Sequence, residues 1–343
     1  MRVADFDYDL PDDRIAQTPV EPRDAARLLV DRGAAAPEHR LVRDLPDLLR
    51  AGDLLVVNET RVIPARLRLR RSTGGSVEVL LLEALDAERR TWEAMVRPGG
   101  KLRPGEELVA GVGPDGAALV RMGERTAAGD TFAVELLGAD DPLATLGVHG
   151  EMPLPPYIGV PLADPDRYQT VFADEPGSAA APTAGLHFTP GLLAAVAERG
   201  VRRAGVELVV GLDTFQPIST DDPLDHPMHT ERYRVPAATM EAVASTRERG
   251  GRVVAVGTTA VRALESAAAR DELSGRTDLF IHRGFDWRAV DVLLTNFHLP
   301  RTTLLMMIDA FVGPRWRDLY ATALAGDYRF LSFGDAMLLD RHR

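Results

Sequence analysis

The sequence predicts an α/β fold: a large domain with a mixed or mainly parallel sheet, into which a small all-β barrel domain is inserted. In the carboxyl-terminal half, apolar strand-like runs such as V-E-L-V-V and R-V-V-A-V-G alternate with helix-like runs such as A-V-R-A-L-E-S. This alternation is typical of parallel strands joined by right-handed crossovers. From residue 66 to residue 154, short alternating runs are separated by glycine and proline turns, which is typical of a small antiparallel barrel.

These patterns divide the chain into three segments. Residues 1–65 form the first part of the α/β domain, residues 66–154 form the barrel, and residues 155–343 form the second part with most of the active site. The proline-rich run L-P-L-P-P-Y-I marks the return of the chain from the barrel.

Apolar runs and capping residues predict the individual elements. In the first segment we expect a strand at residues 26–30, a short helix at residues 45–50 after Asp44, and a buried strand at D-L-L-V-V-N. In the last segment a helix begins at Pro190 after the N-cap Thr189. Further helices are expected at residues 236–249, after Gly257 and from about Thr302.

The composition is that of a globular protein without cysteine chemistry. Hydrophobic residues make up 45% and charged residues 27% of the 343 residues. The absence of cysteine excludes thiol nucleophiles, disulfides and cysteine metal sites. No apolar run is long enough to span a membrane, and the amino terminus is too acidic for a signal peptide. We therefore expect a cytoplasmic protein, and we expect it to be a monomer.

The stretch from Glu175 to Pro190, E-P-G-S-A-A-A-P-T-A-G-L-H-F-T-P, has neither a helical period nor strand alternation. Within it, His187 stands just before a helix N-terminus, where free N–H groups favour an anion. We interpret the stretch as part of a ligand pocket. The alternative is a structural loop whose histidine bonds to the backbone.

Polar residues also follow two predicted strands, where ligands collect in α/β sheets. Asn58, Thr60 and Arg61 follow D-L-L-V-V, and Asn296 and His298 follow D-V-L-L-T. The first group is equally consistent with a turn in which the polar side chains satisfy backbone groups.

The turn V-G-T-T-A-V-R joins a strand to a helix through Gly257, Thr258 and Thr259. Glycine allows close approach of a ligand, and threonine hydroxyls with helix N–H groups can hold a carboxylate or phosphate. Helix capping by one of the threonines is the alternative. Arg262 and Glu265 follow at the spacing of a helix-surface ion pair.

Other catalytic motifs are weak or missing. His226, His229 and Glu231 lie close in sequence but do not form an H-E-x-x-H motif, which disfavours a metal site. The sequence has no G-x-S-x-G elbow for a hydrolase. No glycine-rich fingerprint follows an early strand, which disfavours a methyltransferase.

A series of motifs resembles one family across essentially the whole chain. The motifs, in family order, include I-A-Q-T-P-V-E-P-R-D, D-L-L-V-V-N-E-T-R-V-I-P-A-R, L-P-P-Y-I, Y-Q-T-V-F-A, A-A-P-T-A-G-L-H-F-T, M-H-T-E-R-Y, V-G-T-T-A-V-R-A-L-E, T-N-F-H-L-P and Y-R-F-L-S-F-G-D-A-M-L. The chain resembles the S-adenosylmethionine:tRNA ribosyltransferase-isomerases of queuosine biosynthesis.

The resemblance implies a fold, a reaction and two substrates. It implies a large α/β domain with an inserted barrel, and S-adenosylmethionine as a ribosyl-donor substrate without a prosthetic group or metal. The ribosyl part would move to 7-aminomethyl-7-deazaguanine at the wobble position of a tRNA and rearrange to epoxyqueuosine, releasing adenine and methionine.

The motifs also mark the expected site residues. As catalytic residues we expect His187, His298 and Asp335. As substrate-binding residues we expect Asn58, Arg61, Tyr168, Thr183, Gly185, Gly257, Thr258, Thr259, Arg262 and Asn296.

Three residues depart from the family pattern. Val209 stands in place of a common histidine, Asp213 in place of glycine and Arg232 in place of tryptophan. These departures leave open an alternative function, a diverged tRNA-binding relative without catalytic activity.

A net charge of −11 means that a tRNA surface must concentrate its positive charge locally. In R-L-R-L-R, alternation places Arg66, Arg68 and Arg70 on one face of a strand that leaves the α/β domain for the barrel. We expect these three residues to contact tRNA. The alternative is that they pair with surface acids.

Overall fold

The structure is a computed structural model, and it describes residues 1–33, 35–111, 116–126, 129–138, 140–211, 218, 220–226, 228 and 230–342. Asp213 and His229 lie outside the described residues. None of the helices formed by these residues is long and apolar enough to cross a membrane.

The described residues form the following elements. The strands are β1 Arg27–Asp31, β2 Glu38–Leu41, β3 Leu54–Asn58, β4 Thr60–Val62, β5 Arg66–Arg71, β6 Ser76–Ala84, β7 Thr91–Arg97, β8 Glu107–Ala110, β9 Ala118–Arg125, β10 Phe132–Leu136, β11 Gly150–Glu151, β12 Glu175–Ser178, β13 Arg202–Leu208, β14 Glu231–Arg234, β15 Val253–Val256, β16 Ser274–Thr277, β17 Val292–Asn296 and β18 Ala336–Asp340. The helices are α1 Leu45–Leu48, α2 Pro142–His149, α3 Pro190–Glu198, α4 Ala237–Glu248, α5 Thr258–Arg270, α6 Thr303–Val312 and α7 Trp316–Ala325.

A mixed sheet organises the α/β part, as the sequence predicts. Its strand order is β16-β14-β13-β3-β15-β17-β18-β1-β2. The four central strands β13, β3, β15 and β17 are parallel, whereas β18 runs antiparallel to β17. Every residue of β3, β15 and β17 is buried, because helices cover both faces of these strands.

Two hydrophobic clusters lie on opposite faces of this sheet. Along β3, Leu54 and Val56 join one cluster while Leu55 and Val57 join the other, as the alternation of a strand requires. Helices α4, α5, α6 and α7 contribute to the first cluster, and α1 and α3 contribute to the second. Buried side chains of the barrel continue the first cluster.

The barrel closes through six antiparallel strands. β5 pairs with β6, and the order continues through β7, β10, β9 and β8 back to β5. Leu67 and Leu69 of β5 are buried, whereas Arg68 and Arg70 are exposed, which confirms the predicted alternation. The barrel strands lie within residues 66–151. The domain boundaries after residues 65 and 154 stay a prediction.

One local expectation is wrong. Residues 142–149 form helix α2 within the segment expected to be all-β, and the Asp141 side chain accepts hydrogen bonds from the N–H groups of Leu143 and Ala144.

The stretch from Glu175 to Pro190, which shows no alternation, contains strand β12, which pairs with β4, and a 3-10 helix at Thr183–His187. β12 could not be recognised from alternation because its partner, rather than its own side chains, defines it.

Candidate active site

A cleft lies at the carboxyl ends of β15 and β17, where α5 and α6 begin. It encloses about 610 Å³, part of which is open to solvent. Its described lining consists of Tyr157, Ala181, Pro182, Thr183, Ala184, Val210, Gly257, Thr258, Thr259, Thr295, Asn296, Phe297, His298, Leu299, Thr302, Leu304, Leu331 and Ser332. None of these described lining residues is an aspartate, glutamate, lysine or arginine.

The N-terminus of α5 forms one wall of the cleft. Gly257 occupies the N-cap position with φ of +87°, a conformation that favours glycine, and no side chain caps the helix. Thr258 and Thr259 are buried, and within the described ranges no hydrogen-bond partner is found for the Thr259 hydroxyl. The interpretation of these threonines as helix caps is therefore wrong, because both lie inside the first turn.

Asn296 joins three segments around the cleft. Its Oδ1 accepts a hydrogen bond from Thr183 Oγ1 at 3.0 Å. Its Nδ2 donates to the carbonyl oxygens of Leu331 at 3.2 Å and Asp335 at 3.4 Å. Leu331 has φ of +68°, an unusual conformation for a bulky residue, and the contact with Asn296 helps to hold it.

His298 is the histidine among the described lining residues. Its Nε2 lies 3.0 Å from Thr295 Oγ1, and its backbone N–H donates to the Tyr320 hydroxyl at 2.9 Å. The Tyr8 hydroxyl donates to its carbonyl oxygen. Burial lowers the pKa of His298 to about 3, so the ring is neutral at neutral pH.

Tyr157 and Ser332 form a polar contact that sequence reasoning missed. Their hydroxyl oxygens are 2.7 Å apart, and both residues line the cleft. Gln17 holds the backbone of this segment, since its Nε2 donates to Tyr157 O and its Oε1 accepts from Gly159 N. Tyr157 lies in the family motif L-P-P-Y-I and Ser332 lies in F-L-S-F-G-D. These motifs were the signal in the sequence that could have identified the two residues.

His187 and Asp335 do not belong to the described lining of the cleft. The two nitrogens of the buried His187 ring face the carbonyl oxygens of Ala184 at 3.1 Å and Gly334 at 2.9 Å. Burial lowers its pKa. The Asp335 carboxylate accepts hydrogen bonds from the backbone N–H groups of Arg27 and Arg329. Both side chains hold segments behind the cleft, and their catalytic role stays a prediction.

Five predicted substrate-binding residues also lie outside the described lining: Asn58, Arg61, Tyr168, Gly185 and Arg262. The Asn58 side chain bonds to both backbone groups of Leu208 and to Thr60, as the structural alternative expects. Arg61 donates to Ala173 O. A Cβ at Gly185 would lie 2.7 Å from the Phe172 ring, so packing requires this glycine. Tyr168 is fully buried.

The predicted surface pair of Arg262 and Glu265 is wrong. Both residues are buried, and Arg262 pairs with Glu231 of β14 instead. Burial lowers the pKa of Arg262 to about 10. Glu265 accepts hydrogen bonds from the backbone N–H groups of residues 288–290. Spacing along a helix cannot reveal these partners, because each comes from a distant segment.

The predicted tRNA-binding arginines differ in whether their side chains have hydrogen-bond partners within the described residues. Arg68 donates to both carboxylate oxygens of Glu151, and Arg66 donates to Leu154 O. Arg70 is exposed, and no partner for its side chain is found among the described residues.

Two of the three departures from the family pattern lie next to each other. The Val209 N–H donates to the Arg232 carbonyl at 2.9 Å, and Arg232 is exposed.

Within the described ranges, no cluster of three or more histidine, aspartate or glutamate side chains could hold a metal ion.

Comparison with known proteins places this geometry in a family. The family model described as "Queuosine biosynthesis protein" matches residues 3–339. A relative from Symbiobacterium thermophilum, named S-adenosylmethionine:tRNA ribosyltransferase-isomerase, is 52% identical over 99% of this chain and 100% of its own length. A relative of the same name from Moorella thermoacetica is 51% identical with the same coverage.

A solved structure supports the same assignment. The crystal structure of S-adenosylmethionine tRNA ribosyltransferase from Thermotoga maritima matches with a TM-score of 0.55 and 40% identity. The match covers 97% of this chain and 99% of that chain. The predicted resemblance is confirmed, and the chain belongs to the family of queuosine biosynthesis proteins.

Proposed function

We propose that this protein transfers the ribosyl part of S-adenosylmethionine to 7-aminomethyl-7-deazaguanine at the wobble position of tRNA. The transferred group is isomerised to give epoxyqueuosine-tRNA, and adenine and methionine are released. The observation that carries this proposal is the similarity to relatives named S-adenosylmethionine:tRNA ribosyltransferase-isomerase. About half of the residues are identical over nearly the full length of this chain. The cleft at the strand ends offers a site for the small-molecule substrate.

The chemistry requires hydrogen-bonding groups more than charged ones. The acceptor amine must lose a proton to attack, and the departing adenine leaves more readily when a ring nitrogen is hydrogen-bonded or protonated. The carbon beside the sulfonium must also lose a proton, and the positive sulfur makes that proton acidic. In the described lining, hydroxyls and an amide can hydrogen-bond to the adenine and to the acceptor amine, and the neutral imidazole of His298 is the side chain that can accept a proton from a reacting group.

Among the three predicted catalytic residues, we assign substrate contact to His298. Its ring lines the cleft and is neutral, because burial lowers its pKa to about 3. Such a ring is a weak base, so it is better suited to share a hydrogen bond with a reacting group than to store a proton. His187 and Asp335 act as positioning residues, since their polar atoms contact backbone groups.

For the tRNA, we propose the exposed face of β5 as a phosphate-binding surface. The surface consists of Arg66, Arg68 and Arg70, and its end lies beside the chain that leaves the barrel. Arg70 is the strongest candidate for a phosphate contact, because Arg68 must first give up part of its pairing with Glu151.

One assay tests the function. The protein is mixed with S-adenosylmethionine and a tRNA that carries 7-aminomethyl-7-deazaguanine, and the same tRNA with guanine serves as the control. We expect adenine and methionine to appear together with epoxyqueuosine, and only with the modified tRNA. S-adenosylhomocysteine would instead show a methyltransferase. Binding of tRNA without either product would show the non-catalytic relative.

A further inference from the structure

The cleft must hold a carboxylate without a positively charged side chain in its described lining. The methionyl part of S-adenosylmethionine carries a carboxylate, and a buried carboxylate needs hydrogen-bond donors or a positive charge. Since the described lining contains no arginine or lysine and His298 is neutral, the donors that these described residues offer are backbone N–H, hydroxyl and amide groups.

Two helix N-termini border the cleft, and their capping differs. At α6, the Thr302 hydroxyl caps the helix by accepting a hydrogen bond from Leu305 N at 3.4 Å. At α5, no side chain caps the helix. Within the described ranges, no acceptor is found for the amides of Thr258, Thr259 and Ala260. The α5 terminus therefore has more unused donors than the α6 terminus.

The hydroxyl of Thr259 is an independent sign of a ligand. Thr259 is only 9% exposed and lines the cleft, yet its Oγ1 has no hydrogen-bond partner among the described residues. Leaving a buried hydroxyl unpaired is costly, and a ligand in the cleft can pair with this one. At the neighbouring Gly257, a Cβ would lie 3.6 Å from this oxygen, which is an ordinary contact, so the φ of +87° rather than lack of space favours glycine there.

We propose that the N-terminus of α5 binds the methionyl carboxylate of S-adenosylmethionine. The amides of residues 258–260 and the Thr259 hydroxyl donate to the carboxylate oxygens, and the helix dipole favours the negative charge. The nucleoside end then extends toward Asn296, the last residue of the adjacent strand β17, and His298, which follows that strand. This inference rests on the proposed function, because it assigns the orientation of that substrate.

The test compares two ligands with four proteins. The ligands are S-adenosylmethionine and S-adenosylmethioninamide, in which a neutral amide replaces the carboxylate. The proteins are the wild type, Thr259→Val, the double variant Thr258→Val with Thr259→Val, and the matched control Thr189→Val. Thr189 caps α3 through Leu192 N and does not belong to the described lining of the cleft. Dissociation constants are measured by calorimetry with and without the unreactive guanine-containing tRNA.

We expect the wild type to bind S-adenosylmethionine about 10-fold more tightly than the amide. In Thr259→Val this preference should fall to about 3-fold, and the double variant should show about the same value because only the Thr259 hydroxyl is lost from the contact, whereas Thr189→Val should keep the preference of the wild type. Without ligand, Thr259→Val should not lower the melting temperature, since it removes an unpaired hydroxyl, whereas Thr189→Val should lower it through the lost cap.

Two outcomes would overturn the proposal, and they can be distinguished. An unchanged preference in Thr259→Val and in the double variant would remove the carboxylate from α5 while the proposed function stands. A wild type that binds neither ligand under either condition, and releases no adenine in the activity assay, would overturn both the function and the orientation.

Discussion

At the scale of single residues, the side chains around the cleft differ in whether the described residues offer them a partner. Asn296 uses both ends of its amide on protein groups, and the Thr302 hydroxyl caps its helix. The Thr259 hydroxyl has no partner in the described part of the chain, and we propose that it binds a ligand. Residue type alone does not tell these cases apart, because threonines and amides suit both caps and ligands.

The two buried histidines allow a residue-scale prediction. His187→Gln should lower the free energy of unfolding by about 2–3 kcal/mol, because it disturbs a buried ring held between two carbonyl oxygens. Turnover per folded molecule should change little. His298→Gln should do the reverse, with a small stability loss and a drop in turnover of about 100-fold.

Urea unfolding and initial rates of adenine release measure both effects. If His187→Gln abolishes turnover while the free energy of unfolding is unchanged, the ring of His187 acts on the substrate and the positioning role is wrong.

At the scale of elements, the loop after α7 is shaped by β17. Leu331 adopts its left-handed conformation where Asn296 donates to its carbonyl oxygen, and this brings Leu331 and Ser332 to the cleft. The cost of such a conformation is met by contacts from other elements.

Substitutions of Asn296 test this coupling. Asn296→Ala should lower the free energy of unfolding by about 2–3 kcal/mol, because two carbonyl oxygens and the Thr183 hydroxyl lose their partner. Asn296→Asp should be worse at pH 7, because a carboxylate would face two carbonyl oxygens. It should recover relative to Asn296→Ala as the pH falls, since a protonated carboxyl can donate again.

Denaturant unfolding at pH 7 and pH 4 measures the difference between the two variants. An equal loss for both variants at pH 7 would show that the contact between Asn296 and the loop is weaker than the geometry indicates.

At the scale of the whole molecule, an acidic protein must bind an acidic RNA. The net charge is −11, and most arginines in the described residues pair with nearby acids, as Arg68 does with Glu151 and Arg121 does with Glu107 and Glu135. Arg70 differs from them on the surface of the barrel, since no side-chain partner is found for it in the described part of the chain.

Replacing Arg68 and Arg70 together with glutamine should weaken tRNA binding and reduce the slope of log affinity against log salt by about one to two. Arg70→Gln alone should account for most of this change, because the Arg68 charge is shared with Glu151. Arg121→Gln is the matched control, since Arg121 is exposed on the barrel but pairs with two carboxylates, and it should leave the slope unchanged.

Filter binding between 50 and 300 mM salt, about the range over which such slopes are resolved, gives the measurement. If the double variant keeps the slope of the wild type, the tRNA must bind elsewhere, and the surface of Arg66, Arg68 and Arg70 is not its site.

The sequence by itself determined the local elements and the family. Continuous apolar runs predicted the buried strands β3, β15 and β17, and alternation predicted the outward arginines of β5. These predictions succeed because a strand that is buried on both faces has a continuous apolar run, whereas a strand that is buried on one face alternates apolar and polar residues. The motifs identified the family because they are spread over nearly the full length of the chain, as is the match to the family model at residues 3–339.

The tertiary structure alone decided which polar residues meet. Thr183, Thr259 and His298 come to one cleft from three separate segments, whereas His187 and Asp335 turn to backbone groups behind it. Arg262 pairs with Glu231 of β14 rather than with Glu265, and Glu265 accepts hydrogen bonds from the backbone N–H groups of residues 288–290. The physical reason is that hydrogen-bond partners and burial are set by contacts between residues far apart in the chain, and a local pattern carries no record of them.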